Sequence, residues 1–153
     1  MPLDLEEQYD RIYRYCYFRL QNRYLAEDVT QEAFLRYLEH YQGLNGLPAL
    51  KCLYTIAGNL CVDEFRRQKR DTREEALGED AMEDRLLTNL AVRAALAGLP
   101  REDQALLLLR YVNEVPVSVI GKVLGMSRFA VYRKLKAASG RFRVALRREN
   151  VHE

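Results

Sequence analysis

The chain is poor in the residues that build metal and disulfide sites. It has three cysteines and two histidines in 153 residues, with no Cys-x-x-Cys pair. An odd cysteine count, with Cys16, Cys52 and Cys61 all inside helical patterns, points to reduced and mostly buried thiols. With only His40 and His152 beside them, neither a zinc site nor any other cofactor is expected. No apolar run approaches the length of a membrane span, and the opening stretch MPLDLEEQYD is acidic where a secretion signal is basic. The expected setting is therefore the cytoplasm, without membrane insertion. β-branched alternating runs are missing, which argues against a sheet. So are a nucleophile beside a base, a metal-ligand cluster and a glycine-rich phosphate loop, and no enzyme is expected.

What is present is a globular composition, 48% hydrophobic, with regular punctuation and a strongly partitioned charge. The net charge of +2 conceals a neutral segment 1–70, a segment 71–100 at −4 and a segment 101–153 at +6. From Arg128 to Arg148 there are eight Lys or Arg and no Asp or Glu, while Val131, Leu135, Phe142 and Leu146 keep a helical period. One-signed charge on a periodic helix favours nucleic acid as partner.

The most specific stretch is Val117 to Ala138, which reads as a helix-turn-helix: VSVIGKVL, then GMS, then RFAVYRKLKAA. Ile120, Val123 and Leu124 give the first helix an apolar face, and Val131 and Leu135 give the second a matching one. Gly125 supplies the positive φ of the turn, and Ser127 caps the second helix through its hydroxyl. The outer face then carries Arg128, Tyr132, Arg133 and Lys136, long donors suited to base edges and phosphates in a major groove. Arg141 and Arg143, farther along, are expected to meet phosphates.

Upstream, periodicity predicts helices from about Leu5 to Leu20, from Leu25 to Tyr41 and from Pro48 to beyond Phe65. DTREEALGEDAMED carries seven acidic residues against one Arg and reads as a linker. A helix from Asp84 to Ala97 stops at Gly98, and Leu99-Pro100 opens another through Tyr111. The expected fold is all-α: a helical domain 1–70, a flexible acidic linker 71–84 and a helix-turn-helix domain 85–153. Each domain is near the size at which one core is only marginally stabilising. On such a tether the two domains are not expected to keep a fixed spacing.

Two separated stretches match one family. AEDVTQEAFLRYLEHY and LYTIAGNLCVDEFRRQKR, within Tyr9 to Arg70, resemble the promoter-melting domain of the extracytoplasmic-function sigma factors of bacterial RNA polymerase. LPREDQALLLLRYVNEVPVSVIGKVLGMSRFAVYRKL resembles their carboxy-terminal domain, which reads the upstream promoter element. The resemblance implies that the helix with Asp28, Gln31, Glu32, Phe34 and Leu35 docks on the coiled-coil clamp of core polymerase; Asp28 and Glu32 at i, i+4 with Gln31 form a polar patch able to meet Arg donors. It implies that the third helix contacts the downstream element through Asn59, Asp63, Arg66, Arg67, Lys69 and Arg70, the basic residues also complementing the helix macrodipole. The loop Leu44 to Leu47 would cradle a flipped base of the non-template single strand, with Asn45 offering donor and acceptor. Ser127, Arg128, Phe129, Tyr132, Arg133 and Lys136 would meet the upstream duplex. Anti-sigma inhibitors accompany many members of this family, and no segment here identifies one.

The chain departs from the family pattern at Cys52, where a tryptophan is usual, at Gly58, and at Phe129-Ala130-Val131 followed by Tyr132, so its target sequence is its own. The function implied is that of an alternative sigma factor that binds core polymerase, recognises two promoter elements and promotes opening. The rival readings are a stand-alone helix-turn-helix regulator binding duplex DNA as a dimer, and a protein-only adaptor. The regulator gains nothing from the basic end of the third helix or from a long acidic tether, and the eight uninterrupted basic charges argue against the adaptor.

Overall fold

A computed structural model describes residues 4–41, 43–71 and 90–151, with backbone only at 70, 71, 150 and 151. These residues form seven helices and no strand: α1 (Leu5–Leu20), α2 (Arg23–His40), α3 (Gly46–Asp71), α4 (Leu90–Ala97), α5 (Arg101–Leu107), α6 (Val117–Leu124) and α7 (Arg128–Val151). The expected linker beyond Asp71, and the first part of the helix expected from Asp84, lie outside the described residues.

Local chemistry sets the boundaries. Asp4 accepts from the Glu7 amide at 3.2 Å and starts α1. Asn22 accepts from the Leu25 amide at 3.0 Å, so α2 begins two residues before its apolar period does. Ser127 accepts from the Ala130 amide at 3.1 Å and opens α7, and Gly125 closes α6 at φ +71°. Gly121 answers a second demand of the same turn. A Cβ there would stand 2.7 Å from the Met126 carbonyl oxygen, so only glycine lets the turn fold back so closely on α6.

The helix after Pro100 does not run on to Tyr111 as one α-helix. α5 passes into a π turn, Leu108–Val112, in which the Asn113 amide donates to the Leu108 carbonyl at 2.9 Å. Leu106, Leu107, Leu108 and Leu109 are all buried. Four consecutive buried residues leave a helix no solvent face, so it needs walls on every side. α7 supplies one wall and α1 another.

The described residues on the two sides of the linker pack against one another. They share one hydrophobic core that runs from Ile12 and Tyr54 to Leu106, Ile120 and Val131. Polar contacts fix the junction. Buried Asn113 donates through Nδ2 to the Arg11 carbonyl (2.9 Å) and to the Tyr54 hydroxyl (2.5 Å), and Arg11 Nη1 donates back to the Asn113 carbonyl (3.0 Å). Burial pushes the Tyr54 pKa up to about 12, which keeps its hydroxyl neutral. At the other end of the junction, the Arg101 guanidinium lies 3.4 Å from the ring centre of Phe65 on α3.

Replacing Asn113 by Ala strands two partners in a buried junction. The loss should be about 1–3 kcal/mol, seen as a lower urea midpoint, with a larger radius of gyration in small-angle scattering. An unchanged midpoint and radius would refute the assigned role of Asn113 in the interlock.

Candidate functional site

Three surfaces gather the residues that sequence singled out. The first lies on α7. Val131, Leu135 and Ala138 face inward, which turns residues 128, 129, 132, 133 and 136 to solvent as one stripe. Phe129 is 80% exposed and Tyr132 54%, values that no packing requirement explains. Arg128, Arg133 and Lys136 flank them, and Ser127 sits at the head of the helix. Such a face combines guanidinium forks, suited to guanine edges and phosphates, with aromatic surface suited to thymine methyl groups.

The basic run on α7 is not all available. Lys134 donates to Glu102 at 3.1 Å. Arg141 grips Asp103 with both ends of its fork, Nε to Oδ2 at 2.5 Å and Nη2 to Oδ1 at 3.1 Å. Asp103 is buried, and its hydrogen bond and charge hold the Arg141 pKa above the usual guanidinium value. Arg141 is thus a tie between α5 and α7, contrary to the phosphate role expected for it. The sequence places Asp103 and Arg141 38 residues apart, and no local pattern links them.

The second surface is a groove of about 510 Å³ between α2 and α3. Asp28, Gln31, Glu32 and Leu35 line it from α2, and Leu60, Asp63, Glu64 and Arg67 from α3. Glu32 holds Arg36 at 2.9 Å, and Leu35 is 55% exposed. Phe34 does not belong to this face. It is 8% exposed and packs on Tyr9 with ring centres 5.2 Å apart, because it continues the inward stripe of Ala26, Val29, Thr30, Ala33 and Tyr37. Sequence reading missed the contribution of α3, which only helix packing brings opposite α2. Asp63, expected to act with Asn59 on DNA, lines this groove.

The third surface is the basic end of α3. Asn59, Arg66, Arg67 and Lys69 are exposed, and α3 remains helical through Arg70, whose side chain lies outside the described residues. Arg66 pairs with Asp63 at 3.5 Å and Arg67 with Glu64 at 2.9 Å. Arg66 and Asp63 are both exposed, so that pair can exchange readily for phosphate, whereas Arg67 also neutralises the nearly buried Glu64. Asn45 is exposed in the turn just before α3. Among the described residues no group of three or more His, Cys, Asp or Glu could hold a metal ion, and no helix is long and apolar enough to cross a membrane.

Residues 5–71 match Sigma-70 region 2 and residues 89–141 match Sigma-70 region 4. The ECF RNA polymerase sigma factor SigW of Bacillus subtilis is 29% identical over 137 residues, covering 76% of this chain and 73% of that protein. The ECF RNA polymerase sigma factor SigL of Mycobacterium tuberculosis is 30% identical over 131 residues, covering 79% and 74%. The fold also matches the sigma factor RpoE of Bartonella quintana, solved in complex with the anti-sigma factor NepR. The TM-score is 0.75 over 94% of this chain and 97% of RpoE, at 14% identity. With both regions matched, in order, on an all-helical fold whose exposed α7 stripe has no packing task, the chain belongs to the ECF RNA polymerase sigma factors.

Proposed function

We propose that this alternative sigma factor engages core polymerase through the α2–α3 groove, reads the downstream element with the end of α3 and reads the upstream element with α7. The single observation that carries the reading is the α7 stripe, where two exposed aromatics lie among three exposed cations with no packing role. In this reading Asp28, Gln31, Glu32 and Leu35 meet an Arg-bearing surface of the polymerase, and Phe34 supports them from beneath. Asn45 would hold a flipped base of the non-template strand, Asn59 would contact the duplex just upstream of it, and Arg66, Arg67, Lys69 and Arg70 would hold phosphates. Ser127, Arg128, Phe129, Tyr132, Arg133 and Lys136 would occupy the upstream major groove. The protein works as a cytoplasmic initiation factor, without a catalytic step of its own. An anti-sigma factor is a further partner, as NepR is for RpoE.

The core-docking assignment is tested by Asp28→Arg combined with Gln31→Ala, both exposed and outside the hydrophobic core. Pull-down of core polymerase should be lost while helical circular dichroism is retained. Undiminished pull-down by the folded double variant would refute it.

Specificity separates from positioning on α7. Arg133→Ala should weaken binding to the preferred upstream sequence by about 1–3 kcal/mol and barely affect scrambled sequences, whereas Arg143→Ala should weaken all sequences alike. Equal losses across scrambled elements for Arg133→Ala would remove it from base readout.

The closed packing bears on the free chain. With α1 and α3 packed against α5, the π turn and α6, the two readers are held in one arrangement, so the chain alone should bind promoter DNA poorly. Core polymerase should raise the affinity for labelled promoter DNA by about 100-fold or more, by holding both readers at the spacing of their elements. Specific nanomolar binding by the chain alone at physiological salt would contradict this.

A further inference from the structure

The sigma reading leaves one concavity without a task. A cleft of about 480 Å³ lies where α1, α4, α5 with its π turn, and α7 meet. Its walls are apolar: Phe18 comes from α1, Leu96 from α4, Leu107 and Leu108 from α5 and the π turn, and Phe142 from α7. It shares no lining residue with the α2–α3 groove, and none with the outward stripe of α7. The π turn explains why the cleft stays open. In a continuous α-helix Tyr111 would follow Leu107 by one turn on the inward face. The π turn shifts that register, and Tyr111 stands 62% exposed at the rim instead of closing the cleft.

Polar groups are few and lie on two elements. Tyr111 and Ser139 bring hydroxyls and Arg143 a guanidinium, and none of the residues that line the cleft is acidic. Arg143 is exposed and has no acid partner among the described residues, whereas Lys134 and Arg141 on the same helix are taken up by Glu102 and Asp103. Ser139 and Arg143 stand one turn apart on α7, so both reach one head group. The volume is that of a small-molecule site, a class that is mostly apolar with a few polar groups to orient the ligand. Walls of this kind hold water weakly, so an apolar chain displaces it favourably. A single guanidinium at the edge, with no carboxylate beside it in the lining, selects an anion for the other end of the ligand.

We propose that this cleft binds an amphipathic carboxylate of the medium-chain fatty-acid type, with the apolar chain between Phe18, Leu96, Leu108 and Phe142 and the carboxylate on Arg143 and the Ser139 hydroxyl. Phe18 belongs to α1 and every other lining residue to the segment from α4 onward, so the ligand touches both regions and holds them together. It binds the closed arrangement in preference to a separated one, and by linkage it stabilises that arrangement. A carboxylate there also takes up the donors proposed for DNA phosphate at Arg143, the one point at which the site meets the sigma reading.

The test titrates the full-length protein with sodium dodecanoate below its micelle concentration by calorimetry, without DNA or polymerase, so that it stands or falls apart from the sigma reading. Matched titrations use dodecanol and dodecyltrimethylammonium. Dodecanoate should saturate at one molecule per chain, shift the methyl resonances of Leu96, Leu107 and Leu108, and raise the urea midpoint. Dodecanol should bind about tenfold more weakly and the cation more weakly still. Arg143→Gln should bring dodecanoate down to the level of dodecanol, and Arg143→Lys should restore most of the difference. Val92→Phe and Ser139→Phe, which fill the cleft from opposite helices, should each weaken dodecanoate by about tenfold or more. The wild-type titration and the methyl shifts decide the matter even where a variant does not fold. Uptake that does not saturate, methyl shifts confined to other parts of the chain, or equal affinity for dodecanoate, dodecanol and the cation would overturn the proposal.

Discussion

A helix whose four successive leucines are all buried has no face left for water, and that constraint organises the chain. Leu106 to Leu109 must be enclosed on all sides. The carboxy-terminal helices alone offer an incomplete wall, and α1 completes it. Burying these side chains is worth about 1.5–3 kcal/mol each by area, a large share of what a region of this size can muster. The two regions are consequently joined by the same apolar surface that stabilises the second of them. The π turn that follows lets the backbone end this enclosed segment and places Asn113 at the seam, where its amide meets Arg11 and Tyr54.

That seam gives a physical basis for dependence on the polymerase. A sigma factor that reads two promoter elements must hold two DNA-binding faces at a spacing set by the promoter. Here the spacing is set by a core formed before any DNA arrives. A partner that binds the α2–α3 groove and the outer helices has to provide differential binding energy for the separated form, since a partner of equal affinity for both forms would shift nothing. The junction combines the hydrogen bonds among Asn113, Arg11 and Tyr54 and the Arg101–Phe65 contact with the apolar packing of α1 and α3 against α5, the π turn and α6.

Charge is used economically along α7. Its basic run looks uniform in sequence, yet it divides by angle around the helix. Lys134 and Arg141 turn toward Glu102 and Asp103 and hold α5 in place, while Arg128, Arg133 and Lys136 turn outward with Phe129 and Tyr132. The same residue type thus ties α5 to α7 on one side and stays exposed to solvent on the other. The division follows from 3.6 residues per turn together with the position of α5. On α2, the same geometry puts Phe34 in the core and its neighbour Leu35 in the groove.

Much of this was legible in the chain itself. The helix-turn-helix from Val117 to Ala138, the cap at Ser127, the positive φ at Gly125, the all-helical class and the outward set on α7 follow from periods and turn chemistry that act over four or five residues. Local rules suffice wherever the partners are neighbours in sequence. The tie between Asp103 and Arg141, the contribution of Leu60, Asp63 and Glu64 to the groove, the contact of Phe34 with Tyr9 and the seam at Asn113 needed the packed chain. Their partners lie in other helices, and which helix faces which is decided by how apolar stripes are jointly buried, a property of the whole core that no single window of sequence contains.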